Sequence, residues 1–103
     1  MFRKIFLSLS PIFKFQIEGL SMSPTIREGE NVLVNRLAYV FQSPKVNDII
    51  ALFDPRDGKM LIKRIIKIEE KRYFVEGDNK NSSTDSRIFG MIERREIIGK
   101  VIE

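Results

Sequence analysis

The chain has 103 residues, 43% hydrophobic and 31% charged, which suits one globular domain around one modest core. It holds no cysteine and no histidine. That excludes disulfide frameworks, thiol nucleophiles, Ser-His-Asp triads and the usual thiolate or imidazole metal sites, so no metal or cofactor is expected, and any side-chain base must be Lys, Asp, Glu or Tyr.

The net charge is +4, and residues 1–17 contribute Arg3, Lys4 and Lys14 with no acid, so the remainder is nearly neutral. Residues 1–17 therefore read as a basic, apolar N-terminal arm, and residues 18–103 as the body. The arm, "MFRKIFLSLSPIFKFQI", is too short and too interrupted by Pro11 and Lys14 to span a bilayer, which takes about 20 apolar residues. It lacks the small-residue cleavage site of a secretory signal. Two readings stand: a first strand with a frayed start, or an anchor on an anionic membrane surface. A nucleic-acid footprint needs a basic patch on the folded body, so no nucleic-acid partner is expected.

The body is a series of short runs rich in Val, Ile and Phe, separated by turn residues. "KFQIEG" alternates, "ENVLVNR" is β-branched, and "VNDIIALFD" follows Pro44 and ends in the turn cluster "DPRDG". "KMLIKRIIKIEE" and "KRYFVEGD" read as antiparallel strands joined near Glu69, Glu70 and Lys71. "REIIGKVIE" closes the chain. Strands of this length and spacing predict an all-β fold, antiparallel sheets forming a small barrel or sandwich. A helix over 59–71 is the competing reading, and isoleucine content and alternation favour the strand.

Three stretches carry chemistry. In "MLIKRIIKI", strict alternation puts Leu61, Lys63, Ile65 and Lys67 on one face and Met60, Ile62, Arg64, Ile66 and Ile68 on the other. Each face holds a cation among aliphatic side chains. Such a lysine either snorkels to water or is desolvated, and a desolvated amine is a competent base. Arg64 stays protonated and needs a carboxylate. "GLSMSPT" offers Ser21, Ser23 and Thr25 as hydroxyls, either satisfying a turn or, with an activating amine nearby, acting as a nucleophile. "GDNKNSSTDSR" is dense in hydrogen-bonding groups. It reads as a long hairpin loop, or as the supplier of a partner for the lysine and of an ion pair among Arg64, Asp85 and Arg87.

Taken together and in order, "SMSPT", "LIKRI", "GDNKNSSTDSR" and the ending "IIGKV" resemble the type I signal peptidase family of serine–lysine proteases, over roughly residues 15–103. The resemblance implies an all-β catalytic core with Ser21 as nucleophile, Lys63 as general base and Ser83 as the hydroxyl that orients the base. Asp85 and Arg87 match the ion pair beside it, and Arg64 follows the base. It implies an oxyanion donor from the backbone of Ser21. The position two residues earlier, a serine in some members, is Gly19, so the second donor is backbone or water. An extended substrate would lie between Ile17–Leu20 and Met60–Ile62, with Ile17, Gly19, Met22, Leu61 and Ile62 around its side chains. The implied partner is a precursor with an N-terminal signal or leader peptide. The implied location is at the cell membrane, with the cytoplasm open to a dedicated maturation protease.

The stretch between the lysine strand and the polar loop is short. This resembles the compact subgroup associated with nickel superoxide dismutase maturation, which trims the leader of a metalloenzyme precursor. Self-cleaving repressors share the chemistry, but Ala38 and Ala51 are not followed by Gly. A non-enzymatic β-barrel binding peptide or single-stranded nucleic acid through Phe13, Phe15, Tyr73, Phe74 and Phe89 is the remaining alternative.

Overall fold

A computed structural model describes residues 10–102. Among them, seven strands run β1 (Ile12–Gln16), β2 (Asn31–Asn35), β3 (Ile49–Phe53), β4 (Met60–Glu69), β5 (Arg72–Glu76), β6 (Ile92–Glu93) and β7 (Ile97–Ile102). They form one curled half-barrel sheet in the order β1-β2-β7-β3-β4-β5-β6, with every neighbouring pair antiparallel. The all-β expectation is met, and the stretch 59–71 is strand rather than helix.

Strand β3 explains why "IIALF" is apolar without alternation: it is buried on both faces. Ile49 and Ala51 join Val32, Val34, Ile62 and Val101 in one cluster. Ile50 and Leu52 join Ile65, Tyr73, Val75 and Ile97 in the other. At the sheet edge β1 alternates, with Phe13 and Phe15 turned toward the first cluster and Ile12, Lys14 and Gln16 exposed. This strand lies within residues 1–17, and Ile17 belongs to the core. The membrane-anchor reading of the first nine residues falls outside the described residues.

The β3–β4 hairpin turns through "DPRDG". Gly58 sits at φ +79, and its N–H donates to the Asp54 carbonyl at 2.8 Å. The β4–β5 hairpin turns where expected, but Glu70 and Lys71 both take positive φ, 48° and 63°. Strict alternation along β4 is wrong beyond Ile65. Ile65 pairs with Val75, yet Lys67 pairs with Phe74, so Ile66 is the extra residue of a bulge. The bulge returns Ile68 to the face of Leu61 and Ile65, against the same cluster, and leaves Ile66 and Lys67 exposed.

The polar loop is more structured than a plain hairpin loop. It forms a 3-10 turn at Lys80–Ser82 and then a short helix, α1 (Ser86–Phe89). Asp85 caps α1 by accepting from the Arg87 N–H.

Candidate active site

The first strand of the sheet leads into "GLSMSPT", and β4 begins opposite it. Between them lies a cleft of about 210 Å³. Ile17, Ser21 and Met22 line one side and Leu61, Ile62 and Lys63 the other. Phe15 and Met60 extend the apolar wall, and Glu18 and Lys59 add one charge of each sign. Gly19 does not line the cleft. It makes the turn behind it, at φ +81, with its N–H on Glu28 Oε2 at 2.9 Å. Of the three hydroxyls in the turn only Ser21 lines the cleft. Ser23 is half-buried with its N–H on the Leu20 carbonyl, and Thr25 is exposed.

Lys63 does not snorkel: only 3% of it is exposed. Burial is the main force pushing its amine below the ordinary lysine range. Arg87 adds to that effect, while Asp85 and Asp54 oppose it. Its Nζ donates to Ser83 Oγ at 3.1 Å.

The direction of that bond follows from hydrogen-bonding capacity. Ser83 Oγ lies 2.6 Å from Asp85 Oδ2. The Asp85 carboxyl is wholly buried. Burial alone would raise its pKa, but donors from Arg87, Ser83 and the Gly77 backbone outweigh this and hold it below the ordinary range. An ionised carboxylate can only accept, so the single hydroxyl hydrogen of Ser83 goes to Asp85. Ser83 can then only accept from Lys63. The lone pair of a neutral Lys63 is left for another proton.

Arg87 clamps Asp85 from the far side, with Nε to Oδ1 at 2.9 Å and Nη2 to Oδ2 at 3.0 Å. Arg64 does not belong to this pair, contrary to the grouping expected from sequence. Its guanidinium is bidentate to Asp78, both contacts at 2.9 Å, and it also donates to the Asn47 carbonyl. The cause is sheet geometry. Arg64 pairs with Glu76 across β4 and β5, which brings Asp78 within reach just beyond the strand, while Asp85 is already saturated.

The sequence reading passed over Gly77. Its N–H is shared between Asp85 Oδ2 at 2.9 Å and Ser83 Oγ at 3.1 Å. A Cβ there would stand 2.4 Å from Ser83 Oγ and 2.5 Å from the Ser21 carbonyl oxygen. Two residues on, the Asn79 N–H donates to that same Ser21 carbonyl at 2.8 Å. The segment 77–79 thus ties the serine turn to the lysine's partners. The glycine opening "GDN" was the available signal, because close backbone approach is what glycine permits.

Strand β4 also has an open edge at the cleft. Met60–Arg64 pair with β3, but β5 begins pairing only at Arg64. Among the described residues no strand pairs with residues 60–63 on that side, and all four line the cleft.

The cleft thus brings together the edge of β4, the hydroxyl of Ser21 and the sheltered amine of Lys63. Among proteins similar to the chain, Signal peptidase I V of Bacillus subtilis (strain 168) is 28% identical, over 84% of this chain and 82% of its own length. Probable signal peptidase I-1 of Synechocystis is 25% identical, over 80% and 65%. Mitochondrial ATP-independent inner membrane protease subunit 1a of Arabidopsis thaliana is 30% identical, over 84% and 66%. The chain thus spans just under two thirds of the last two. The family model described as Signal peptidase, peptidase S26 matches residues 2–69 and 66–103, and the chain belongs to that family.

The two matched segments overlap at residues 66–69, the end of β4 just before the β4–β5 turn. The Bacillus alignment runs over 138 residues, more than this chain contains, so that relative carries stretches this chain lacks. Among the described residues no helix is long and apolar enough to cross a membrane.

Proposed function

We propose that the protein is a serine endopeptidase that removes N-terminal signal or leader peptides, with Ser21 as nucleophile and Lys63 as general base. The observation that carries this reading is the burial of Lys63 on the wall of the cleft that Ser21 also lines, with one amine hydrogen committed to Ser83.

A precursor enters as an extended strand along the open edge of β4 at residues 60–63, gaining main-chain hydrogen bonds. The apolar walls at Ile17, Met22, Leu61 and Ile62 leave shallow space for small residues one and three positions before the cut. Neutral Lys63 takes the proton of Ser21 Oγ, and the oxygen attacks the scissile carbonyl carbon. The backbone N–H of Ser21 stabilises the resulting oxyanion. The ammonium of Lys63 then gives its proton to the departing amine nitrogen, leaving an acyl-enzyme. A water that loses its proton to Lys63 attacks the ester and releases Ser21 with its hydrogen restored. Arg64 and Asp78 hold the middle of β4 against the polar loop. Asp85 and Arg87 fix Ser83, and Ser83 fixes the amine.

A narrower reading, dedicated trimming of a metalloenzyme precursor's leader, is favoured by one feature. The direct two-residue turn at Glu70–Lys71 stands where the family match breaks in two, so the compact core has no elaboration there. Removal of signal peptides would place the enzyme at the membrane, whereas dedicated leader trimming leaves the cytoplasm open. The non-enzymatic alternative, a barrel that only holds peptide or single-stranded nucleic acid, predicts binding without turnover.

The test is cleavage of a leader peptide with small residues one and three positions before the cut. Wild type turns it over. Ser21→Ala and Lys63→Ala lose about 10⁴-fold or more while keeping the wild-type circular dichroism spectrum. Ser23→Ala stays active. Loss of activity in Ser23→Ala but not in Ser21→Ala would overturn the assignment of Ser21 and make Ser23 the nucleophile.

A further inference from the structure

Two charged side chains line the cleft without a part in the reaction. Lys59 stands four residues before Lys63 on the β4 wall, and Glu18 three residues before Ser21 on the other. Both are exposed. Both sit on backbone that is tied down. The Lys59 N–H donates to Asp57 Oδ1 at 3.0 Å, and its carbonyl accepts from the Asp54 N–H at 2.8 Å. On either side of Glu18, the Ile17 N–H donates to the Glu30 carbonyl at 2.8 Å and the Gly19 N–H to Glu28 Oε2 at 2.9 Å.

The arginines around the site are already committed. Arg56 grips Asp54 with two nitrogens, Arg64 holds Asp78, and Arg87 holds Asp85. Among the described residues, Lys59 and Glu18 form no ion pair and no side-chain hydrogen bond. Lys59 acts on Asp54 through space, but that carboxylate has both its oxygens on Arg56. An unpaired charge on fixed backbone beside an apolar cleft attracts a ligand group of opposite sign and repels one of its own.

The strand sets where on the ligand that charge acts. Four residues of β4 span about 13 Å. A precursor with positions one and three before the cut against Leu61 and Ile62 runs parallel to β4, its N-terminal part toward Lys59. A peptide in strand geometry advances residue for residue with its neighbour, so Lys59 stands beside the fourth or fifth residue before the cut. Its long flexible stem lets the ammonium follow either one.

We propose that Lys59 is a specificity residue of the cleft, favouring an acidic side chain four or five residues before the cut and disfavouring a basic one, with Glu18 weakening the attraction from the other wall. This rests on the peptidase reading and on the pose of the substrate along β4. It narrows the substrate class to precursors whose leader carries an acid just upstream of the small residues.

The test uses the full chain and peptides that differ only in holding Glu, Ala or Lys at the fourth or fifth residue before the cut, or at the fourth after it. The readout is the ratio of kcat/KM between two peptides within one variant, so a general loss of activity or of folded protein cancels. Wild type favours Glu over Lys about fivefold at the fourth or fifth residue before the cut, and less at high salt. Lys59→Gln brings that ratio to one or below, Lys59→Glu inverts it, and Glu18→Gln raises it. Binding of the same peptides is followed by fluorescence anisotropy. Cleavage with a ratio that Lys59→Gln leaves unchanged overturns the inference and leaves the peptidase standing. A preference that Lys59→Gln erases only after the cut overturns the position assigned to the acid. Peptides bound with the stated preference but never cut remove the peptidase reading and keep the charge selection. Neither binding nor cleavage of any peptide overturns both.

Discussion

Ser83 has one hydrogen and two lone pairs, and its surroundings use them in one way. The hydrogen goes to Asp85, so the amine of Lys63 has to donate. Under the proposed mechanism Asp85 is therefore a positioning residue acting through Ser83. In Asp85→Asn an amide N–H faces either the Arg87 donors or the Gly77 N–H and Ser83. In the second orientation Ser83 turns its hydrogen toward Lys63 and occupies the lone pair. We expect the alkaline plateau of kcat to fall about 10²-fold. Mere loss of a negative charge would instead lower the Lys63 pKa and move the rising limb to lower pH with the plateau kept. A pH–rate profile separates the two. Under the proposed mechanism, wild-type activity should rise with pH as Lys63 deprotonates, with burial placing the midpoint below the ordinary lysine value of about 10.4. A midpoint at the ordinary value would mean a solvated amine. Gly77→Ala pushes a methyl group against Ser83 Oγ and the Ser21 carbonyl. It should destabilise the fold by about 1–3 kcal/mol in urea titration and lower kcat more than it raises KM.

Strand β4 supplies the lysine, the arginine and the open edge, and it does so by changing partners along its length. Its first half pairs with β3, and its second half crosses to β5 through the Ile66 bulge. The hairpin that follows turns through Glu70 and Lys71, neither of which favours positive φ. Glu70→Asn/Lys71→Gly should stabilise the fold by about 1 kcal/mol and raise Tm by about 4–8 °C without altering cleavage. Calorimetry would check this, and an unchanged or lower Tm would show that the turn residues make contacts worth more than their backbone strain. Alternation in "MLIKRIIKI" places Lys63 opposite Ile62 and Arg64 correctly. It fails after Ile65, because a bulge depends on where the partner strand's register shifts, and β5 is not part of that stretch.

Three carboxylates, Asp54, Asp78 and Asp85, are held below their ordinary range chiefly through hydrogen bonds from Arg56, Arg64 and Arg87. In the folded molecule they bind protons less readily than in the unfolded chain. Their contribution is therefore present above the ordinary carboxylate pKa of about 4 and is lost as pH falls below it. Urea unfolding should show a lower midpoint at pH 3 than at pH 7, and Arg87→Gln should weaken that dependence. A midpoint that does not change with pH would mean the carboxylates are equally perturbed in the unfolded state. With two clusters sharing β3, the whole sheet is one cooperative body. The cleft lies within it, but on acidification activity should go first, as Lys63 gains its proton, and the fold only at much lower pH, as these pairs are lost.

By itself the sequence determined the β class, most strand positions, the exclusion of histidine and cysteine chemistry, and the three polar stretches from which the site is built. Those follow from composition and from period-two patterning, which local sterics impose on any strand. Only the tertiary structure decided that Lys63 is sheltered rather than snorkelled, that Ser21 and not Ser23 faces the cleft, that Arg64 goes to Asp78, and that Gly77 braces both. Burial and pairing are set by what the folded sheet brings alongside a residue from 14 or more positions away, as with Arg64 and Asp78, and no local pattern encodes which neighbour arrives first.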